Sequence, residues 1–158
     1  MLLLTLFTAL FAAATPHLTM ATSASATEAR PGSTVKLFVD VMPDPKVHVY
    51  APGAKDYIPI ALAITPRPGV KVGKLAYPKS QDWYFEPLKE HVPVYHAPFR
   101  LEQPITLETS LKAGDRITVA GVLNYQACDD FVCFNPVSAP VSWSVIVKIG
   151  RASCRERV

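Results

Sequence analysis

From Arg116 to Gln126 apolar and polar positions alternate, with Ile117, Val119, Leu123 and Tyr125 on one side of the pleat. From Pro140 to Lys148 the alternation returns, with Val141, Trp143, Val145 and Val147 on one side and Ser142 and Ser144 on the other. A period of two over such lengths predicts half-buried β-strands. Ser33 to Met42 repeats it, with Val35, Leu37, Val39 and Val41 facing inward. Shorter strands are predicted at His17 to Ser23, Val47 to Tyr50, Ile58 to Thr65 and Val70 to Tyr77. Val94 to Thr109 supplies one or two more, broken by Pro98 and Pro104. Turns fall at Arg30-Pro31-Gly32, Pro43-Asp44-Pro45-Lys46, Pro66-Arg67-Pro68-Gly69 and Ala113-Gly114-Asp115. In these, each proline fixes φ and lacks a donor.

About eight strands and no amphipathic helix of useful length predict an all-β fold, an immunoglobulin-like antiparallel β-sandwich. The 15 prolines against 7 glycines suit a loop-rich β protein. A length of 158 residues allows one domain with a core of reasonable size, or a domain and a tail. The formal charge of +3 is too small and too scattered for nucleic acid binding.

The ends stand apart. Leu2 to Ala14 is an apolar run closing on Ala12-Ala13-Ala14, a small-residue site suited to signal peptidase, so residues 1–14 are expected to be an export signal. The run is shorter than the roughly 20 residues that cross a bilayer. Residues 149–158 leave the strand pattern and resemble the translation of a sequencing-adapter oligonucleotide, so the natural domain is expected over 15–148. That tail carries three Arg, one Glu and Cys154; without it the charge falls from +3 to +1 and two cysteines remain. An exported chain with one cysteine pair suits an oxidising compartment.

Pro78 to Pro93 reads as the longest irregular stretch, crowded by Trp83, Tyr84 and Phe85. Long loops of this kind are functional lids or linkers, and consecutive large aromatics need something to pack against. The cysteines lie in Tyr125-Gln126-Ala127-Cys128-Asp129-Asp130-Phe131-Val132-Cys133-Phe134-Asn135-Pro136, between the two most regular strands. Loops on rigid β scaffolds are where chemistry concentrates.

Three readings of the pair compete. A structural disulfide over so short a loop would contribute only about 2 kcal/mol through the unfolded chain. A redox couple could open and close with loop movement alone, passing through a mixed disulfide with a partner. Asp129 and Asp130 would then disfavour a thiolate and raise a cysteine pKa above about 8.5. A metal site would need some of His17, His48, His91 and His96, which are scattered singly. In the redox reading the aromatic stretch shields the sulfurs, and His48 and Tyr50 line the same site.

Tyr125-Gln126-Ala127-Cys128 with Cys133 and Pro136, and Trp143 in the last strand, resembles the N-terminal periplasmic domain of the thiol:disulfide interchange protein DsbD, also called a disulfide bond corrector domain. His48-Val49-Tyr50-Ala51-Pro52-Gly53 and the aromatic stretch ending near Tyr95 fit in order, so the resemblance runs from about His17 to Lys148. It implies an immunoglobulin-like domain whose pair takes electrons from a membrane-embedded or thioredoxin-like donor. The domain would then reduce thioredoxin-fold periplasmic proteins, disulfide isomerases or cytochrome c maturation factors. By motif position Cys128 and Cys133 are the redox pair, and Asp82, Trp83, Tyr84, Phe85 and Glu86 match the cap loop; no cofactor is implied. Cys128 is expected to join the mixed disulfide and Cys133 to resolve it. Four residues lie between the cysteines here, where better-known members have five, and the aromatic count of the cap differs.

Overall fold

The computed structural model describes residues 15–86 and 88–149. The expected export signal and all but the first residue of the expected tail lie outside the described residues. Twelve strands follow one another: β1 (Leu18–Ala24), β2 (Glu28–Ala29), β3 (Thr34–Pro43), β4 (His48–Tyr50), β5 (Ala61–Ile64), β6 (Val70–Val72), β7 (Gln81–Phe85), β8 (Glu90–Tyr95), β9 (Phe99–Leu107), β10 (Arg116–Tyr125), β11 (Ala127–Cys128) and β12 (Val137–Val147). Among the described residues no helix is long and apolar enough to cross a membrane.

The strands form three sheets, ordered β1-β3-β9-β6, β2-β12-β10-β5 and β11-β4-β8-β7. All pairings are antiparallel except β2 with β12. The first two sheets bury their inward faces in one core. Val35, Leu37, Val39 and Val41 of β3 meet Ile117, Val119, Leu123 and Tyr125 of β10 and Val141, Trp143, Val145 and Val147 of β12 there. Each such side chain contributes roughly 1.5–3 kcal/mol on leaving water, enough for a sandwich to stand without a staple. Trp143 also ties the layers by a polar bond, its indole N–H donating to the Phe38 carbonyl at 3.1 Å.

Small residues and prolines fit where the ladders permit them. A Cβ on Gly121 would sit 2.7 Å from the Ala63 carbonyl oxygen, so β5 can approach β10 only over a glycine. Pro104 does not break its strand as expected: it lies inside β9, opposite Lys36. Its carbonyl faces the end of β6 and accepts from Gly73 N–H at 2.9 Å, so its missing donor falls where that ladder stops.

The region from Pro78 to Pro93 is a second correction. Most of it is not a loop but a hairpin, β7 pairing with β8 from Gln81↔Val94 to Phe85↔Glu90. Along β7, Gln81, Trp83 and Phe85 are half-buried while Asp82 and Tyr84 are exposed. Val70 to Tyr77 is shorter than expected, with regular pairing only in β6 and an isolated bridge at Ala76.

Candidate functional site

The third sheet carries the cysteines. Leaving β10, the chain turns at Gln126 and adds β11 to the edge of β4, with Ala127 opposite Val49 and Cys128 opposite His48. It then makes a tight reversal, and Cys133 returns to pair with Cys128 as a β-bridge closed by a disulfide with S–S 2.06 Å. Cys128 is only 1% exposed, whereas Cys133 faces solvent. One sulfur belongs to the interior and the other to the surface.

The reversal is held by its own polar groups. The Asp129 carboxylate accepts from the backbone N–H groups of Phe131 and Val132, each at 2.8 Å. These two bonds, with minor help from the charges of His48 and His17, hold its carboxyl below the usual carboxylate range despite some desolvation. Below the sulfurs, Phe134 N–H donates to the Ala127 carbonyl at 2.9 Å and the Gln126 side-chain amide donates to the Phe134 carbonyl at 3.1 Å. The His17 ring stacks on Phe134 with centroids 3.7 Å apart. Tyr125 is fully buried and its hydroxyl donates to the Pro16 carbonyl at 2.9 Å. Burial pushes that phenol up to about 12. Tyr125 and Gln126 therefore brace the loop from beneath and do not line its open side.

The open side is formed by β4 and the hairpin. The Tyr50 hydroxyl lies 3.6 Å from the Cys133 sulfur. Its ring stacks on Tyr57 at 4.1 Å, and the Tyr57 hydroxyl donates to Glu90. Burial, then the Glu90 charge, pushes the Tyr50 phenol up to about 12, so it is neutral and able to donate. A cavity of about 210 Å³ opens between Cys133, Tyr50, His48, Phe85, Leu88 and Phe131. Its outer rim is apolar: Phe131 is 91% exposed, and Leu88 and Val132 are also exposed.

The expected cap residues divide by face. Trp83 packs against the cluster of Tyr50, Val92, Val94 and Cys128, and its ring lies 5.4 Å from that of His48. Phe85 lines the cavity at Cys133. Asp82 and Tyr84 point the other way, where Asp82 bonds His91 at 2.7 Å and the Tyr84 ring lies 5.0 Å from that of His91. Glu86 sits exposed in the hairpin turn. Asp130 is exposed and, with Trp83, His96 and Lys46, lines a smaller cavity on the far side of His48. Among the described residues no group of three or more His, Cys, Asp or Glu side chains could hold a metal ion.

Several contributors escaped the sequence reading. Tyr57 and Glu90 lie in stretches without periodicity, and only the fold brings them to Tyr50. Phe131 and Val132 carried a usable signal, since an apolar pair at the tip of a four-residue reversal has no core to enter; Leu88 lies in the hairpin turn and carried none.

Comparison with known proteins agrees with this architecture. Among solved structures, the N-terminal periplasmic domain of ScsB from Proteus mirabilis superposes with a TM-score of 0.53 at 16% identity, covering 84% of this chain and 47% of that one. The chain thus spans about half the length of that structure, and at this identity the likeness shows the fold alone. A cohesin–dockerin complex from Clostridium thermocellum matches with a TM-score of 0.44 at 13% identity, covering 82% of this chain and 99% of that one. The major pilin subunit BcpA of Bacillus cereus matches at 0.43 and 10% identity, covering 82% of this chain and 39% of that one. Among curated proteins no sequence matches the chain. The family described as "Thiol:disulfide interchange protein DsbD, N-terminal" matches residues 15–142, a span that runs from before β1 into the middle of β12 and holds the hairpin and both cysteines of the bridge. The chain belongs to that family of DsbD N-terminal domains, a thiol–disulfide exchange family.

Proposed function

We propose that the chain acts on the periplasmic side of a bacterial membrane as a protein-disulfide reductase domain, relaying electrons through Cys128 and Cys133. Its acceptors are thioredoxin-fold redox proteins of the disulfide isomerase or cytochrome c maturation type. Its electrons come from a membrane electron-transfer domain, either downstream or separate. The observation that carries this reading is the split environment of the bridge. Cys133 is exposed at the mouth of an apolar-rimmed cavity while Cys128 is buried beside it. Thiol–disulfide exchange needs one sulfur within a partner's reach and a second that waits to displace it.

This burial favours the order opposite to the one expected from the sequence. Cys133, not Cys128, is the sulfur that forms the mixed disulfide, and Cys128 resolves it. Two variants test the assignment. Cys128→Ser is expected to accumulate a covalent adduct with an oxidised thioredoxin-fold protein, and Cys133→Ser is expected not to. The opposite pattern would restore the original order, and no adduct with either would remove the relay.

The rival reading is an immunoglobulin-like binding module with a fixed bridge. Equilibration in a dithiol redox buffer separates the two. The relay requires a potential above about −300 mV, and an inert structural bond lies below it.

A further inference from the structure

Reduction of the bridge leaves a thiol at Cys128, a position only 1% exposed. To resolve a mixed disulfide that thiol must lose its proton, because the thiolate is the nucleophile. Water has little access to it, so the question is which group takes the proton.

His48 stands opposite Cys128 in the β4–β11 ladder. Directly opposed residues of an antiparallel pair carry their side chains on one face, with Cβ atoms about 4.5–5.5 Å apart. The His48 residue is 4% exposed, and its ring packs edge-on to Tyr50 and tilted against Trp83, each with centroids 5.4 Å apart. Buried polar side chains are nearly always hydrogen-bonded. The His48 ring bonds to no described side chain or backbone group, yet among the described residues the unpartnered buried side-chain polar atom is Arg67 Nε. The His48 ring nitrogens therefore reach solvent through the two cavities the ring borders. One, of about 210 Å³, is shared with Cys133, Tyr50 and Asp129. The other, of about 170 Å³, is shared with Asp130, His96, Lys46 and Trp83. An imidazole opposite one cysteine, in the same cavity as the other, and with nitrogens that no protein group occupies is free to take up and release a proton.

We propose that His48 is the proton-handling residue of the exchange, taking the thiol proton of Cys128 and delivering it to the partner thiolate that leaves Cys133. This rests on the redox reading of the pair. The Cys133 thiolate attacks the partner's disulfide, forming one S–S bond and breaking another, and a first partner thiolate departs. Neutral His48 removes the Cys128 proton; the Cys128 thiolate attacks the Cys133 sulfur, closes the bridge and expels the second partner thiolate. Two electrons pass from the dithiol to the partner's disulfide. One proton reaches the partner from the imidazolium, and the other, lost earlier by Cys133, comes from solvent.

The surroundings favour the form that can accept. Burial is the largest influence and lowers the His48 pKa, as does the nearby His96, while Asp130 and Asp129 pull it upward; the net shift is downward from 6.5. The ring is thus neutral at neutral pH. Tyr50, which shares the larger cavity, is also neutral there.

The test reacts the reduced full chain with oxidised glutathione and resolves the two steps by acid quenching and mass measurement. In the wild type, closure of the mixed disulfide is expected to slow on acidification with a midpoint below the usual histidine value. In His48→Gln that inflection is expected to vanish and closure at neutral pH to slow about a hundredfold. The first step and the equilibrium with glutathione are expected to stay unchanged, since a proton shuttle alters rates and not end points. Matching closure profiles for wild type and His48→Gln would overturn the proposal. Should His48→Gln not fold, the wild-type His48 ring is titrated by NMR in both redox states. A midpoint that moves when the bridge opens supports the proposal, and an unmoved one overturns it. If the wild type does not exchange with glutathione at all, the redox reading itself fails; if it exchanges and His48→Gln behaves identically, only the role of His48 fails.

Discussion

The hydroxyl of Tyr50 lies 3.6 Å from the sulfur of Cys133, at the cavity the two residues share. In the disulfide that sulfur accepts weakly; as a thiolate it would accept strongly, because hydrogen bonds to charged groups are the stronger ones. Tyr50→Phe is therefore expected to slow alkylation of Cys133 in the reduced protein at neutral pH by roughly threefold to tenfold. The measurement is the pH profile of alkylation, in which the Cys133 midpoint should move upward.

The apolar rim is expected to matter to proteins and not to small reagents. Phe131 is 91% exposed, so Phe131→Ser removes no core packing. Exchange with an oxidised thioredoxin-fold protein should slow by about tenfold, while reduction by dithiothreitol should keep its rate. Equal loss with both would mean that Phe131 shapes the loop and not the docking surface.

Asp129 gives the loop a pH limit. Its folded pKa lies below the ordinary 3.8, chiefly through its bonds to the N–H groups of Val132 and Phe131. A depressed carboxyl contributes order that is fully present above the unfolded value and lost as pH falls through the folded one. Amide hydrogen exchange at Phe131 and Val132 is expected to be slow above that range and faster below it. In Asp129→Ala it should be fast throughout.

The alkaline side is set by phenols. Tyr50 and Tyr125 are pushed up to about 12 from 10, mainly by burial. Groups raised in this way add stability that is complete below the unfolded value and lost as pH rises through the folded one. Tyr57, Tyr77 and Tyr95 are raised as well, Tyr57 chiefly by its bond to Glu90 and the other two chiefly by burial. Spectrophotometric titration should therefore show a group of late phenols, with urea stability declining from about pH 10 upward. Tyr125→Phe removes one of them and, by losing the bond to Pro16, should cost about 1 kcal/mol at neutral pH.

The long strands were legible because one face is buried throughout. Val35, Leu37, Val39 and Val41, then Ile117, Val119, Leu123 and Tyr125, then Val141, Trp143, Val145 and Val147 keep the period of two, and all of them are buried in the core. The hairpin of β7 and β8 was not legible, because outward Tyr84 is as aromatic as inward Trp83 and Phe85, which hides the period. Pro93 also argued against a strand, yet it pairs with Asp82 while its carbonyl accepts from Ala51 N–H. At the site, the cysteine pair and the nearness of His48 and Tyr50 could be read from motif and order. Which sulfur is buried could not, because it depends on the register of β11 against β4. Tyr57 reaches Tyr50 by a path with no periodic signal, so only the folded chain reveals the stack.

The reversal at the cysteines is held by bonds that do not involve sulfur: Asp129 to the tip, Phe134 to Ala127, and Gln126 to Phe134. Opening the bridge breaks none of them directly. In the proposed relay a docking protein would then meet nearly the same contour in either redox state, and shape alone would give it no way to reject the wrong one. On that proposal the direction of electron flow would be set by the relative potentials of donor and acceptor, with one surface serving both in turn.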